Sequence, residues 1–344
     1  METRYSKISF VVFSVLLFML VGWWATSSTQ VDESAAEPVA VASSTNEVAE
    51  VPELQIPTFL QTFFPNTDFT DADPSIYKLI SGGPPKDGIP AIDKPNFVSL
   101  DTFQYNDDIL AVVLEGEDET KVYPYNILNW HEIVNDKIDN QLVAITFCPL
   151  CGSAIVFDRR LPAGESTFGV SGGLIESNMV MYDRATESLW QQSTGKALAG
   201  VYREETLKLV PFQLLTMGEI KQKFPKALLL SENTGYSRDY ERNPYGNYDE
   251  DNERFVFNIS GFNREYDAKE IMVVFRAGDT PVATPWLDLL EGEPKTTDVA
   301  GEIYTLTKTD GELSIKDSDG RLLPFYFEMW FSFALQHGET AQVF

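Results

Sequence analysis

The chain has 344 residues, 43% of them hydrophobic and 12% aromatic, enough apolar content to bury a sizeable core in one large or two modest domains. Its 52 acidic residues against 26 basic ones give a net charge of -26, which repels phosphate backbones and excludes nucleic acid as a partner. Two cysteines and two histidines leave no material for a multi-cysteine zinc module, an iron–sulfur cluster or a disulfide-rich scaffold.

In chain order, Arg4 and Lys7 precede an uncharged apolar run from Ile8 to Ala25 that is long enough to cross a bilayer as a helix. Trp23 and Trp24 occupy positions where a cleaved signal peptide carries small residues, and they suit the aromatic belt of a retained helix. Residues 1–25 are therefore expected to be a cytoplasmic n-region and an uncleaved anchor in the lipid bilayer, with a signal peptide as the alternative. Either form puts the rest of the chain in the periplasm or outside the cell. Residues 26–56 lack aromatic and basic residues and carry six carboxylates, the composition of a self-repelling tether. The first seven residues carry +1 and residues 8–56 carry -6, which leaves -21 on residues 57–344, the expected folded domain.

From Thr58 onward, short apolar runs alternate with Gly, Pro, Asn and Asp, the pattern of strands joined by tight turns. Strands are predicted at 109–114, 142–147, 154–157, 254–259 and 271–275. Helical spacing is clearest over 125–135, where Ile127, Trp130, His131 and Val134 share one face after Pro124. Residues 216–224 and 325–336 are the other predicted helices. The fold class is α+β, predominantly antiparallel β with a few short helices. A shift of 161 positions lays Val112, Val113, Asp118, Pro124 and Leu128 over Val273, Val274, Asp279, Pro285 and Leu289, so two related sheet-plus-helix halves are possible, with chance similarity as the alternative. The second copy lacks an equivalent of His131, which would put the chemistry in the first half.

The residues with most chemical potential are Cys148 and Cys151 in ITFCPLCGSAIVFDR, expected at the tip of a hairpin with Gly152 turning the backbone. Thiols at this spacing can close a small ring or bind a metal together. A purely structural bridge over so short a loop contributes only about 2 kcal/mol. No helix follows to lower a thiol pKa, which argues against a thioredoxin-like enzyme. His131, in YPYNILNWHEIVND, reads either as a core histidine with one hydrogen-bond partner or as a site residue. If it reached the hairpin, Cys148, Cys151 and His131 would form a donor set for copper or zinc. Glu132 lies beside it as a second candidate for proton transfer.

Met179 and Met181 alternate as buried strand residues do. Asp183, Arg184, Trp190 and Gln192 form a polar and aromatic stretch suited to a buried network or a substrate pocket. The acidic run Asp249, Glu250, Asp251 and Glu253 departs from a calcium loop, because Arg254 and Ser260 replace its Gly and Glu. No Walker loop, nucleophile elbow, HExxH helix or dinucleotide fingerprint is present.

The segments YPYNILNWHEIVND, VAITFCPLCGSAIVFDR, FGVSGGLIESNMVMYDRATESLWQQSTGKALAG, LSENTGYSRDYERNPYGNY and, more loosely, EMWFSFALQHGETAQVF resemble the domain-of-unknown-function family number 3179, from about Ile109 to Phe344. The resemblance implies export or membrane anchoring. Members include selenoproteins, and selenium at the CPLC positions would favour redox chemistry. Positions matching the family's recurring residues include His131, Glu132, Cys148, Cys151, Asp183, Arg184, Trp190, Gln192, Arg238, Tyr240, Tyr245 and Tyr248; Tyr245 and Tyr248 join the substrate-pocket candidates on this basis. No role comes with any of them. The reading is a membrane-anchored extracytoplasmic protein with a thiol/disulfide redox or copper/zinc centre at Cys148 and Cys151, and a redox partner protein or small ligand. The alternative is a non-catalytic binding module with a structural bridge.

Overall fold

In the computed structural model, which describes residues 55–102 and 105–344, short strands dominate and the helices are short. The stretch 8–25 and most of the acidic tether lie outside the described residues. Among the described residues no helix is long and apolar enough to cross a membrane.

Three sheets matter for the site. A seven-stranded sheet runs in the order Gln342–Val343, Thr280–Pro285, Ile271–Ala277, Phe325–Met329, Ser153–Asp158, Gln141–Cys148 and Ile133–Ile138. A five-stranded sheet runs Gln213–Thr216, Leu110–Glu115, Thr120–Pro124, Leu228–Leu230 and Phe97–Ser99. A second five-stranded sheet contains Phe168–Ile175, Asn178–Asp183 and Leu189–Gln191, every residue of which is buried. These continuous buried runs read as strands covered on both faces. The largest hydrophobic cluster joins all three sheets, from Val112 and Tyr123 through Phe147 and Ile155 to Trp190 and Phe331.

Two hairpins lie at positions separated by 161 residues. Val113 pairs with Val122 in the first hairpin and Val274 with Ala283 in the second, positions related by the same offset. Each hairpin is flanked by an antiparallel strand on one side and a parallel strand on the other. In each case a helix connects the two flanking strands, Met217–Lys223 in one sheet and Trp330–His337 in the other.

Three predicted elements differ from the structure. The helix at 125 ends at His131, because Glu132 adopts a left-handed backbone (φ 57°) and its N–H closes the last turn onto Leu128 O. The β-branched Ile133 and Val134 then enter a strand paired with Gln141–Cys148. Residues 325–336 divide into the strand Phe325–Met329 and the helix Trp330–His337. Residues 254–259 form no strand. They belong to an irregular strap over residues 231–270 whose only helical turn is Tyr248–Glu250. Phe255, Phe257 and Ile259 lie against the main core without a backbone ladder. So long a segment without regular structure inside a packed domain is characteristic of functional loops. The helix at 216–224 forms as Met217–Lys223, with a capping box between Thr216 and Glu219.

Candidate functional site

The last pair of the Gln141–Cys148 and Ser153–Asp158 hairpin is Cys148 with Ser153, so Pro149, Leu150, Cys151 and Gly152 form the turn. Gly152 takes φ 56°, and a Cβ there would stand 2.9 Å from Met329 Cγ. Glycine thus meets both a left-handed conformation and a close approach. The turn is fixed from both sides. Cys151 N donates to Cys148 O at 3.1 Å, and Met329 N donates to Cys151 O at 2.8 Å. Both thiols are free and buried, 2% exposed at Cys148 and fully covered at Cys151. Burial, then the neighbouring Cys148, hold the Cys151 thiol well above its ordinary pKa, against a lowering contribution from the Ser332 hydroxyl.

The strap covers this turn, and the helix Tyr125–His131 holds the strap. Asn126 Nδ2 donates to Tyr240 O at 3.3 Å and Trp130 Nε1 to Arg242 O at 3.1 Å. Tyr248 OH donates to Leu150 O at 2.9 Å, inside the CPLC turn itself. The helix and strap motifs are therefore two halves of one clamp over the cysteines.

His131 is part of that clamp and not of a metal set. Its Nδ1 lies 2.7 Å from Pro90 O, and its Nε2 lies 2.6 Å from Tyr240 OH. Burial lowers its pKa, so the ring is neutral at pH 7. A carbonyl only accepts, so Nδ1–H donates to Pro90 and the Nε2 lone pair accepts from Tyr240. Neither nitrogen is left for a metal or a thiol proton. Among the described residues no three groups from His, Cys, Asp and Glu are placed to hold a metal ion. The donor set of Cys148, Cys151 and His131 for copper or zinc is therefore not assembled.

Glu132, the residue after the helix, is buried beside the strap. Its left-handed backbone turns the side chain inward, where it is 7% exposed and accepts from Tyr245 OH at 3.3 Å. Burial raises its pKa to about 7, against a lowering contribution from Tyr245. Burial also raises the Tyr245 phenol, followed by the charges of Glu132 and Cys148, which marks the three groups as neighbours. Glu132 and Tyr245 line an apolar cavity of about 200 Å³ together with Leu150 and Met179. A second cavity of about 180 Å³ adjoins the other side of the turn, at Pro149 and Gly152, and is lined by Tyr245, Tyr248 and Lys269.

The other pocket candidates lie elsewhere. Asp183 is fully buried and accepts from Thr186 N, Thr186 Oγ1 and Trp190 Nε1. Gln192 joins Ser153, Asn178 and Thr146 through bonds of 2.6–3.1 Å, tying the CPLC hairpin to the neighbouring sheet. Arg184 pairs with Asp87 and Asp93, each at 2.9 Å. None of Asp183, Arg184, Trp190 and Gln192 lines either cavity beside the cysteines. Gln192 alone of the four bonds to the hairpin; Asp183 and Trp190 bond to each other, and Arg184 holds Asp87, Asp93 and Phe168 O.

Sequence reasoning missed the group behind Cys151. Glu328 is fully buried, accepts from Ser332 Oγ at 2.9 Å, and has its other oxygen 3.4 Å from His337 Nε2 without an aligned hydrogen bond. His337 in turn lies 3.0 Å from Tyr326 OH. Ser332 interacts with the Cys151 thiol, so a polar chain runs from the thiol through Ser332 and Glu328 to His337. These residues come from the second hairpin's sheet, so the site draws on both parts of the chain and not on the first alone. The available signal was His337 itself, the second of two histidines, in an otherwise aromatic segment.

Comparison with known families matches residues 86–322 to a family described as Protein of unknown function (DUF3179). The matched region contains both cysteines, Glu132 and the whole strap, and ends before Glu328. No curated protein and no solved structure matches the chain.

Proposed function

We propose, on the premise that this chain belongs to the DUF3179 family of proteins of unknown function, that Cys148 and Cys151 form a two-electron dithiol–disulfide centre with Glu132 as its proton acceptor. One observation carries the reading: the only two thiols of the chain meet unlinked in one turn, beside a buried carboxyl whose pKa is about 7. A base with a pKa near the working pH combines a useful ionised fraction with useful basicity.

In the forward step, the Cys148 thiol leaves its hydrogen bond to Ser177 O, 3.5 Å in the resting fold, and its proton passes to Glu132, which accepts from the neighbouring Tyr245 hydroxyl. The Cys148 thiolate attacks one sulfur of a partner disulfide, forming a mixed disulfide and releasing one thiolate. Glu132 returns its proton to the released thiolate, and Cys151 attacks the Cys148 sulfur, expelling the second thiolate, which takes the Cys151 proton. Two electrons and two protons pass from the dithiol to the partner disulfide. Cys151 suits the resolving role, because its burial keeps it protonated until the mixed disulfide forms. The apolar run 8–25 and the acidic tether support an anchored, extracytoplasmic setting, where a disulfide persists.

The test treats the full chain with a small disulfide and follows its intact mass. Wild type should lose two hydrogens, Cys151→Ser should accumulate a mixed disulfide, and Cys148→Ser should remain unmodified. A folded wild type that stays a dithiol under excess oxidant would overturn the reading. A bond that forms but resists reduction below about -300 mV would make it a structural staple of a binding module.

A further inference from the structure

The cavity at Pro149 and Gly152 contains an imbalance that the dithiol reading does not use. Lys269 is 6% exposed, and its Nζ donates to Arg254 O at 2.8 Å and to Tyr248 O, with the Tyr248 ring centroid 3.2 Å away. It forms no ion pair among the described residues. Lys121, the other lysine buried to this degree, is paired with Asp136 at 3.1 Å and Glu119 at 3.4 Å. A buried ammonium held by two carbonyls and a ring face, with Asp249 and Asp251 acting on it without forming an ion pair, lacks the contacting counter-charge that normally offsets its desolvation.

A second observation points into the same space. Tyr125, stacked 4.1 Å from Phe147, lines the cavity and has a buried hydroxyl with no hydrogen-bond partner. Unsatisfied buried donors in a native fold call for an explanation, and a bound group is one. Asn129 and Asn243 add amides to the lining and Asp249 one carboxylate, which makes no ion pair with Lys269, while Leu110, Phe147, Ile271 and Met329 make most of the rest apolar. The volume of about 180 Å³ is below the ~300–1,000 Å³ of sites for drug-sized ligands, so the occupant is small.

We infer that this cavity is a binding site for a small organic carboxylate, with one oxygen on the Lys269 ammonium, the other on the Tyr125 hydroxyl, and the carbon chain against Phe147 and Met329. Charge-assisted hydrogen bonds in a desolvated pocket are the strong kind, and here both donors are already in place. The site stands independently of the redox reading, since it requires neither thiol. The charged groups that act on Lys269 are Asp251 and Asp249, which favour its protonated form, and Arg254, which opposes it; burial is the largest influence and lowers its pKa to about 8. A bound carboxylate adds a negative charge and favours the ammonium, so affinity is present below that pKa and is lost as pH rises through it.

The experiment titrates the reduced full chain with butyrate, using butyramide and butylamine as matched controls, by saturation-transfer NMR. Butyrate should bind at least about tenfold more tightly than either control, the scale of one charge-assisted hydrogen bond. Lys269→Met should weaken butyrate about tenfold or more, Lys269→Arg less, and Tyr125→Phe by about threefold to tenfold. On wild type, the affinity should fall about tenfold between pH 6.5 and pH 9.5, where the acid itself does not titrate. That comparison decides the matter if Lys269→Met fails to fold. Cys148→Ser should bind butyrate as wild type does, which separates this site from the fate of the dithiol reading. Equal binding of butyrate and butyramide, pH-independent binding, or no binding would overturn the inference.

Discussion

The Tyr248 hydroxyl donates a 2.9 Å hydrogen bond to the Leu150 carbonyl, so the strap is fastened to the backbone between the two cysteines. Tyr248 is buried, and its phenol is held in the protonated, donating form by that burial and then by the nearby Cys151 and Cys148. The cysteines are thus covered by a segment whose attachment can be removed one atom at a time.

Tyr248→Phe deletes the donor and leaves Leu150 O without this partner. The expected loss of stability is about 1–3 kcal/mol, read from denaturant unfolding. The same variant should raise the rate of thiol alkylation under native conditions, because local opening of the strap exposes the turn. Equal alkylation rates in variant and wild type would show that the strap does not control access.

Glu132 gives a pH dependence with a definite sign. Its folded-state pKa is about 7 against an ordinary 4.5, so the folded state holds the proton more tightly than the unfolded chain. Its contribution is most favourable below about pH 4.5, weakens as pH rises from there to about 7, and is constant above; the span is about 3 kcal/mol as an order of magnitude. Glu132→Gln should flatten stability over that window and lower the rate of dithiol oxidation at pH 7. A pH profile unchanged by the substitution would remove Glu132 from the proton-transfer role.

The predominance of short strands and the turn holding Cys148 and Cys151 were legible because local chemistry decides them. Gly152 after CPLC and β-formers on both sides leave few alternatives to a turn between strands. Three elements were not legible, for a common reason. The apolar spacing of Ile127, Trp130, His131 and Val134 continues past the point where Glu132 turns left-handed, and periodicity carries no record of that turn. Phe255, Phe257 and Ile259 alternate like a strand but find core contacts without a ladder partner. Glu328 and Ser332 are separated as helical neighbours would be, yet the strand ends at Met329 and the helix begins at Trp330, so their meeting depends on tertiary packing.

Gly152→Ala tests the turn directly. The left-handed conformation costs a side-chain-bearing residue about 1–2 kcal/mol, and the new Cβ would press on Met329 Cγ at 2.9 Å. Met329 is flexible but 2% exposed, so part of that strain stays in the turn. Thermal unfolding should show the destabilisation, and disulfide formation between Cys148 and Cys151 should slow.

The Glu328–Ser332 pair provides the last test, because it lies behind Cys151 and apart from the strap. Ser332→Ala leaves one oxygen of a fully buried carboxyl without its 2.9 Å donor while the other oxygen already lacks an aligned bond. The expected cost is about 1–3 kcal/mol. Glu328→Gln keeps the volume and can still accept from Ser332, so the double variant should lose less than the sum of the singles, with a coupling of about 0.5–3 kcal/mol. If the polar chain also serves the thiol, Glu328→Gln should change the rate at which Cys151 resolves a mixed disulfide on Cys148 by more than its effect on stability explains. Additive stabilities with an unchanged resolution rate would make the chain a packing feature alone.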